Sequence, residues 1–408
     1  MTSLPVIVFI LVYLGMAVGT VPGLRLDRTG VALIGLIVLL ASGDLSMAKA
    51  GAAVDMPTIT LLFALMILSA QFEGSGFYGL VAAKITRAVH APKLLLAVII
   101  AVTGILSAIL TNDVVVFALT PLICTALLAQ GLDARPYLVA LAGAANAGSA
   151  ATLIGNPQNI LLGQAGGLSF GRYLLLALPP TLVALVFVFL AVIWTWRGSL
   201  AATPHEGKTE QPQVDRFQLA KGIVAIAVLI GLFLTPFPRE LSALAVAGVL
   251  LLSKRMSSRD MIGAVDWHLL LLFICLFGVT AAFAETGLAQ EALVSLKAHG
   301  LSLDRLSVLS PLMLAASNTI GNVPTIILIL KIVPDLSQGV LAAMALLSTF
   351  AGNLLLTGSL CNIIVAERAK ASGGDLSFMD FMRSGIVMTL FAMAAATAWL
   401  WLTGSVQF

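Results

Sequence analysis

Within the run SAILTNDVVVFALTPL, residues 107–122, a hydroxyl, an amide and a carboxylate stand side by side as Thr111, Asn112 and Asp113 in an otherwise mostly apolar stretch. Three other short strings share that character: GNPQN at 155–159, GNVPT at 321–325 and GSLCN at 358–362. Each has the chemistry of a helix that stops and restarts. Gly155 frees the backbone, Asn156 suits an N-cap and Pro157 suits the first helical position. Gly321, Asn322 and Pro324 repeat that arrangement, and Thr111–Asn112 and Gly358–Ser359 are weaker versions. A restarting helix presents unpaired N–H groups and partial positive charge, which attract anions. The carbonyls left where the preceding segment stops coordinate cations. The residues expected to hold substrate and ion are therefore Thr111, Asn112, Asp113, Gly155, Asn156, Asn159, Gly321, Asn322, Thr325, Gly358, Ser359 and Asn362, with Na⁺ placed near Asn112, Asn156, Asn322 and Ser359. Taken singly, each Asn reads equally well as a helix cap. No base–nucleophile pair or metal set accompanies these residues, so no enzyme and no cofactor are expected.

Asp113 is the sharpest of them. An ionised carboxylate in hydrocarbon is costly unless paired or hydrated, and no Arg or Lys in the four strings is an obvious partner. Protonation, or a bound cation, relieves that cost. Asp113 is expected to carry the coupling ion, H⁺ ahead of Na⁺; the plainer alternative is a first-turn carboxylate.

The chain around these strings is a membrane protein by composition. Of its 408 residues 60% are hydrophobic and 10% charged, with mean hydropathy +1.06, where soluble domains carry roughly 25% charged residues. Runs long enough to cross a bilayer recur throughout. The first, Leu4 to Val21, lacks a basic leader and reads as a retained helix. Three scattered cysteines and four histidines offer no disulfide framework or metal spacing. The net charge of +3 implies no nucleic acid, and no phosphate-binding loop supports ATP-driven transport.

The two halves of the chain match. Arg28 pairs with Arg239, Asp55 with Asp266 and Gly76 with Gly287, all 211 residues apart. Ser107 pairs with Ser317 and Asn112 with Asn322 at 210; Gly155 pairs with Gly358 and Asn159 with Asn362 at 203. Asp113 has no such partner, because Val323 holds the matching place. Internal repeats of this kind signal transporters, with the site where the repeats meet. The expected architecture is all-α and polytopic. A first repeat covers 1–200, with a hairpin at about 93–130 and a broken helix at about 136–165. A cytoplasmic linker covers 201–218, and a second repeat covers 219–408, with a hairpin at about 304–334 and a broken helix at about 337–371. The arm after Asn322 is too short to span before Lys331 and Asp335, so each hairpin is read as re-entrant. Five spans plus one hairpin per half require the halves to be inverted. Sixteen of the 22 basic residues then fall on one side, which marks it as cytoplasmic and leaves both termini outside the plasma membrane.

Plainer readings apply elsewhere. Ser107 and Ser317 are small packers, and Lys331 snorkels. Lys84, Arg87 and Lys93 form a solvated face, and Glu73 and Glu285 lie at the surface. Asp55 and Asp266 suit helix N-termini, and Arg28 and Arg239 anchor at the interface.

TNDVVVFALTP, ATLIGNPQN, SNTIGNVPT and AGNLLLTGSLCNIIVAE, in that order, resemble the signature segments of the ion transporter superfamily. That group includes divalent anion/sodium symporters, citrate transporters, arsenite-efflux permeases and sodium/proton antiporters. The resemblance covers nearly the whole chain and is closest to the arsenite-permease-like, anion-permease branch, which has Asn-Asp at the first hairpin. The dicarboxylate branch carries Ser-Asn-Thr at both tips. Here the SNT at 317–319 precedes the position matching Asn112 and is not taken as the tip. The resemblance implies scaffold and transport domains, elevator-like motion and often a homodimer. The expected function is secondary active transport of a small anion or oxyacid coupled to H⁺ or Na⁺. The alternatives are a cation/proton antiporter of the same superfamily and an ion channel. Cys361, tempting as an arsenite thiol, reads more simply as apolar filler.

Overall fold

The computed structural model describes residues 4–18, 26–201, 213–333 and 335–407. Among these the chain is helical, with one isolated β-bridge, Arg305 to Gln407. The first half contains α1 (Leu4–Val18), α2 (Arg28–Ser42), α3 (Met47–Ala53), α4 (Met56–Gly74), α5 (Phe77–Ile85), α6 (Pro92–Ile109), α7 (Asn112–Leu128), α8 (Arg135–Ser149), α9 (Pro157–Ala165) and α10 (Phe170–Thr195). The second contains α11 (Arg216–Phe233), α12 (Arg239–Leu251), α13 (Ser258–Gly263), α14 (Trp267–Ala284), α15 (Leu288–Ala298), α16 (Leu306–Thr319), α17 (Asn322–Ile332), α18 (Gln338–Ala351), α19 (Leu360–Ala371) and α20 (Phe378–Leu402). Among the described residues six helices are long and apolar enough to cross a membrane: α4, α6, α10, α11, α14 and α20. The protein is thus an all-helical, multi-pass membrane protein.

Local chemistry explains the helix starts. Asp55 accepts from the Thr58 amide and Asp266 from the Leu269 amide, so both carboxylates cap helices as expected. Asp215 caps α11, which begins at Arg216; the end of the expected linker 201–218 is therefore helical, and residues 202–212 lie outside the described residues. Arg255 grips Asp215 at 2.9 Å, a charged hydrogen bond that holds the carboxyl below its ordinary range. The short helices α3 and α13 were not anticipated. Each is capped by a serine, Ser46 or Ser257, and precedes a capped span.

Packing comes in exchanged pairs. Helix α4 packs on α12 as α14 packs on α2, α7 on α19 as α17 on α9, and α6 on α8 as α16 on α18. Helices α8 and α18 meet each other, as do α10 and α20. Two-thirds of α4 and α14 is buried, whereas only 22% of α11 is, with Ile223, Val224 and Val228 facing outward. Apolar residues on an outer face suit lipid contact. The centre of the bundle is polar, as the side chains below establish.

Candidate functional site

The four restarts meet. Helix α6 ends at Ile109 and α7 begins at Asn112, whose backbone N–H donates to the Gly155 carbonyl at 2.9 Å. The tip of the first hairpin is thereby tied to the break in α8–α9. Asn156 caps α9 by accepting from the Asn159 amide. Gly321, with φ of 97°, turns α16 into α17 in a region open to glycine. The N-cap position belongs to Gly321 and not to Asn322, because Asn322 is already helical. Ser359 opens α19 without a side-chain cap bond, and Thr111 opens α7 likewise.

A polar cluster fills the space between the breaks. Asn146 on α8 is its hub: its carbonyl oxygen accepts from Asn112 at 3.1 Å and Ser359 at 3.0 Å, and its amide donates to Asn353 and Asn362, both at 2.8 Å. Thr349, on α18, serves the other half, touching Asn156 at 3.2 Å and Asn159 at 3.4 Å. Asn159 donates to the Ser149 and Thr152 carbonyls, and Asn362 to the Gly352 and Leu355 carbonyls. Each acceptor pair stands at the 203-residue offset of the two asparagines. Asn322, with its amide turned to donate, reaches the Gly358 and Ser348 carbonyls and the Ser317 hydroxyl, each at 3.2 Å.

Beside this cluster lies a cavity of about 70 Å³. All four restarting helices contribute to it: Asn112 and Asp113 from α7, Pro157 and Gln158 from α9, Asn322 and Pro324 from α17, and Ser359 and Leu360 from α19. Gly321 and Gly358 complete the polar side, and Leu269, Leu272 and Phe273 of α14 form an apolar wall. A second cavity of about 560 Å³ adjoins it and is lined by Thr111, Asp113, Glu73 and Asp266 among others. Asp113 therefore sits on the wall between the two. Its backbone N–H donates to the Asn112 side chain.

The sequence-derived residues divide accordingly. Asn112, Asp113, Gly321, Asn322, Gly358 and Ser359 face the smaller cavity, and Thr111 faces the larger. Gly155, Asn156, Asn159, Thr325 and Asn362 line neither; they are buried in the framework that holds the breaks. Thr325 donates back to the Gly321 carbonyl at 2.7 Å. Cys361 is fully buried away from both cavities, in keeping with apolar filler. Thr319, from the SNT segment set aside above, lines the smaller cavity, and Asn318 ties α16 to the Ala351 carbonyl. That segment belongs to the approach to the tip.

Arg28 has a place the sequence did not suggest: half-buried at the start of α2, it lines the same cavity as Asp113. Arg239, its repeat partner, instead donates to the Gly163 and Leu168 carbonyls. Asn146, Thr349, Asn353 and Gln158 were missed as well. Their signal was faint: single polar residues in apolar runs, with Asn146 and Thr349 at the 203-residue offset but of different type.

This combination of an apolar, lipid-facing bundle with broken helices around an internal polar cavity defines a membrane transport protein. The citrate transporter family model matches residues 7–340, and the chain belongs to that family. It is 31% identical to the inner membrane protein YbiR of Escherichia coli, over 78% of this chain and 81% of that one. It is 26% identical to the silicon efflux transporter LSI3 of rice, over 92% of each. Among solved structures the YdaH transporter of Alcanivorax borkumensis shares the fold, with a TM-score of 0.58 at 17% identity, covering 98% of this chain and 97% of that one.

Proposed function

We propose that this protein is a secondary active transporter of the plasma membrane that moves a small anion or oxyacid by alternating access, in an elevator-like motion, coupled to H⁺ or Na⁺. One observation carries the proposal: the first turns of four helices, α7, α9, α17 and α19, line one cavity. The partial positive charge of these helix starts, with the first-turn N–H groups not already bonded to Gly155, Asn112 and Asn156, favours an oxyanion or the oxygens of a neutral oxyacid. Asn112, Asn322 and Ser359 add groups that both donate and accept. The size fits a small solute, since about 10–15 Å³ suffices for one water and the cavity of about 70 Å³ has room for a few. The similarity to a silicon efflux transporter points the same way. The exchanged packing pairs support two inverted repeats, which are the usual basis of alternating access.

Asp113 is the proposed carrier of the coupling ion, because it lies between the substrate-sized cavity and the larger one. The acids of the larger cavity, Glu73 and Asp266, favour cation/proton antiport as the second reading. Reconstituted vesicles with an imposed pH or Na⁺ gradient test both. Wild-type protein is expected to drive oxyacid flux from the gradient, whereas Asp113→Asn, whose amide oxygen still accepts a hydrogen bond, retains measurable substrate exchange and loses the gradient response. Unchanged gradient-driven flux in Asp113→Asn leaves Asp113 as a first-turn carboxylate only.

A further inference from the structure

The two opposite charges on the wall of the smaller cavity, Arg28 and Asp113, come from elements far apart in sequence. Arg28 donates from Nε to the Met16 carbonyl at 2.9 Å. That single bond orients the guanidinium and leaves its terminal N–H groups without a hydrogen-bond acceptor among the described residues. The ion pairs within 4.0 Å among the described residues are Lys49–Glu285, Arg135–Asp133, Arg135–Asp380 and Arg255–Asp215. Arg28 is in none of them. The exposed Glu367 of α19 lies within electrostatic range of Arg28, and Asp266 within range of Asp113, but neither closes a pair with it. The repeat makes the contrast sharper: Arg239 binds two backbone carbonyls, and Val323 stands where Asp113 would be matched.

We infer that Arg28 and Asp113 are the two poles of the substrate site, and that the substrate is a hydroxyl-bearing oxyanion whose ionised oxygen accepts from Arg28 while its O–H donates to Asp113. This rests on the transporter reading above. A guanidinium only donates and an ionised carboxylate only accepts, so a ligand bridging them needs an acceptor at one end and a donor at the other. A fully ionised tricarboxylate, even one that carries a hydroxyl as citrate does, brings additional carboxylate charge into the site with Asp113, and like charges held close in a poorly hydrated site repel. The dihydrogen anion of a tetrahedral oxyacid satisfies both poles. Charge-assisted hydrogen bonds to a guanidinium are among the stronger ones available, so affinity for the anion depends on Arg28.

The test uses full-length protein in proteoliposomes with inorganic phosphate, arsenate, sulfate, citrate and silicic acid as probes. Phosphate or arsenate is expected to show saturable exchange at least tenfold more efficient than sulfate or citrate. Arg28→Gln raises the KM for that anion at least tenfold. Arg28→Lys, which keeps the charge but loses the fork, falls between. Size-exclusion behaviour establishes that each variant is folded, and Arg28→Lys carries the comparison if Arg28→Gln is not. An unchanged KM in the Arg28 variants, or sulfate or citrate exchange equal to that of phosphate, overturns this inference and leaves the transporter reading intact. Flux of none of the probes by wild-type protein overturns the oxyacid substrate class itself, and this inference with it.

Discussion

At the residue scale, the site depends on side chains that never face the cavity. Asn146 is 1% exposed and makes four side-chain hydrogen bonds, to Asn112, Ser359, Asn353 and Asn362. Two of those partners, Asn112 and Ser359, line the cavity, so Asn146 sets where their remaining groups point. Side-chain hydrogen bonds inside membrane proteins average about 0.6 kcal/mol each by double-mutant cycles. Asn146→Ala is therefore expected to cost about 2 kcal/mol, four bonds of that size. Unfolding in a mixed-detergent titration measures it, and a change below ~0.5 kcal/mol, less than one average bond, would show that the network relaxes around the loss. Asn156, Asn159 and Asn362 act in the same way. They secure the backbone at the breaks, and their amides are already committed to protein partners.

At the element scale, the breaks depend on close backbone approach. A β-carbon at Gly155 would land on the carbonyl oxygens of Ser149 and Ser107, the first at the end of α8 and the second in α6. The Gly155 carbonyl also holds the first turn of α7. Gly155→Ala is expected to push the hairpin tip from the broken helix, costing about 1–3 kcal/mol as overpacking usually does, with lower thermal midpoint and flux. Gly231 is the control: nothing lies within 4 Å of a β-carbon there, and it is inside α11. Gly231→Ala should be neutral or raise stability by ~0.5–1 kcal/mol, the helix cost of glycine. If Gly155→Ala behaves like the control, the two elements are not in obligatory contact. The same scale explains the long helices with internal proline, such as α10 with Pro179 and Pro180, since neighbouring helices tolerate such interruptions in a membrane.

At the scale of the whole molecule, loop-to-loop contacts bear on the inverted arrangement. Lys49 meets Glu285 at 2.9 Å, Arg239 meets Leu168 and Arg305 meets Gln407; the reading from basic-residue bias places all six on the outer side. Asp215 meets Ser75 and Arg255, and Arg135 meets Asp380 at 3.7 Å; the same reading places these on the cytoplasmic side. Cysteines introduced at the exposed positions Ser258 and Leu301 test the assignment. Background from the native cysteines should be low, because Cys124, Cys275 and Cys361 are buried. An impermeant maleimide applied outside intact cells is expected to label Leu301→Cys and to reach Ser258→Cys only after permeabilisation. The reverse pattern would invert the protein, and equal labelling of both would end the two-sided reading.

Class, helix positions and the four breaks were legible in the sequence, because they follow from local rules. Apolar length sets the spans, Gly-Asn-Pro chemistry sets the restarts, and the polar anchors of the two halves stand at common offsets; observed helices α8–α9 and α18–α19 fall within two residues of the outer limits expected for the broken helices. Asp113 was conspicuous for the same reason, a carboxylate with no local partner in an apolar run. Which polar residue faces a cavity and which only holds backbone was decided by the tertiary structure. Asn112 and Asn159 look alike in the sequence, yet one lines the cavity and the other gives its amide to Ser149, Thr152 and Tyr173. Arg28 stands 85 residues before Asp113, at the head of a helix where a membrane-interface anchor is the ordinary reading. Only the packing of α2 on α14, whose apolar wall it shares, brings it to the cavity. Local sequence chemistry fixes where a helix must end; which other ends it meets depends on contacts between residues far apart in the chain.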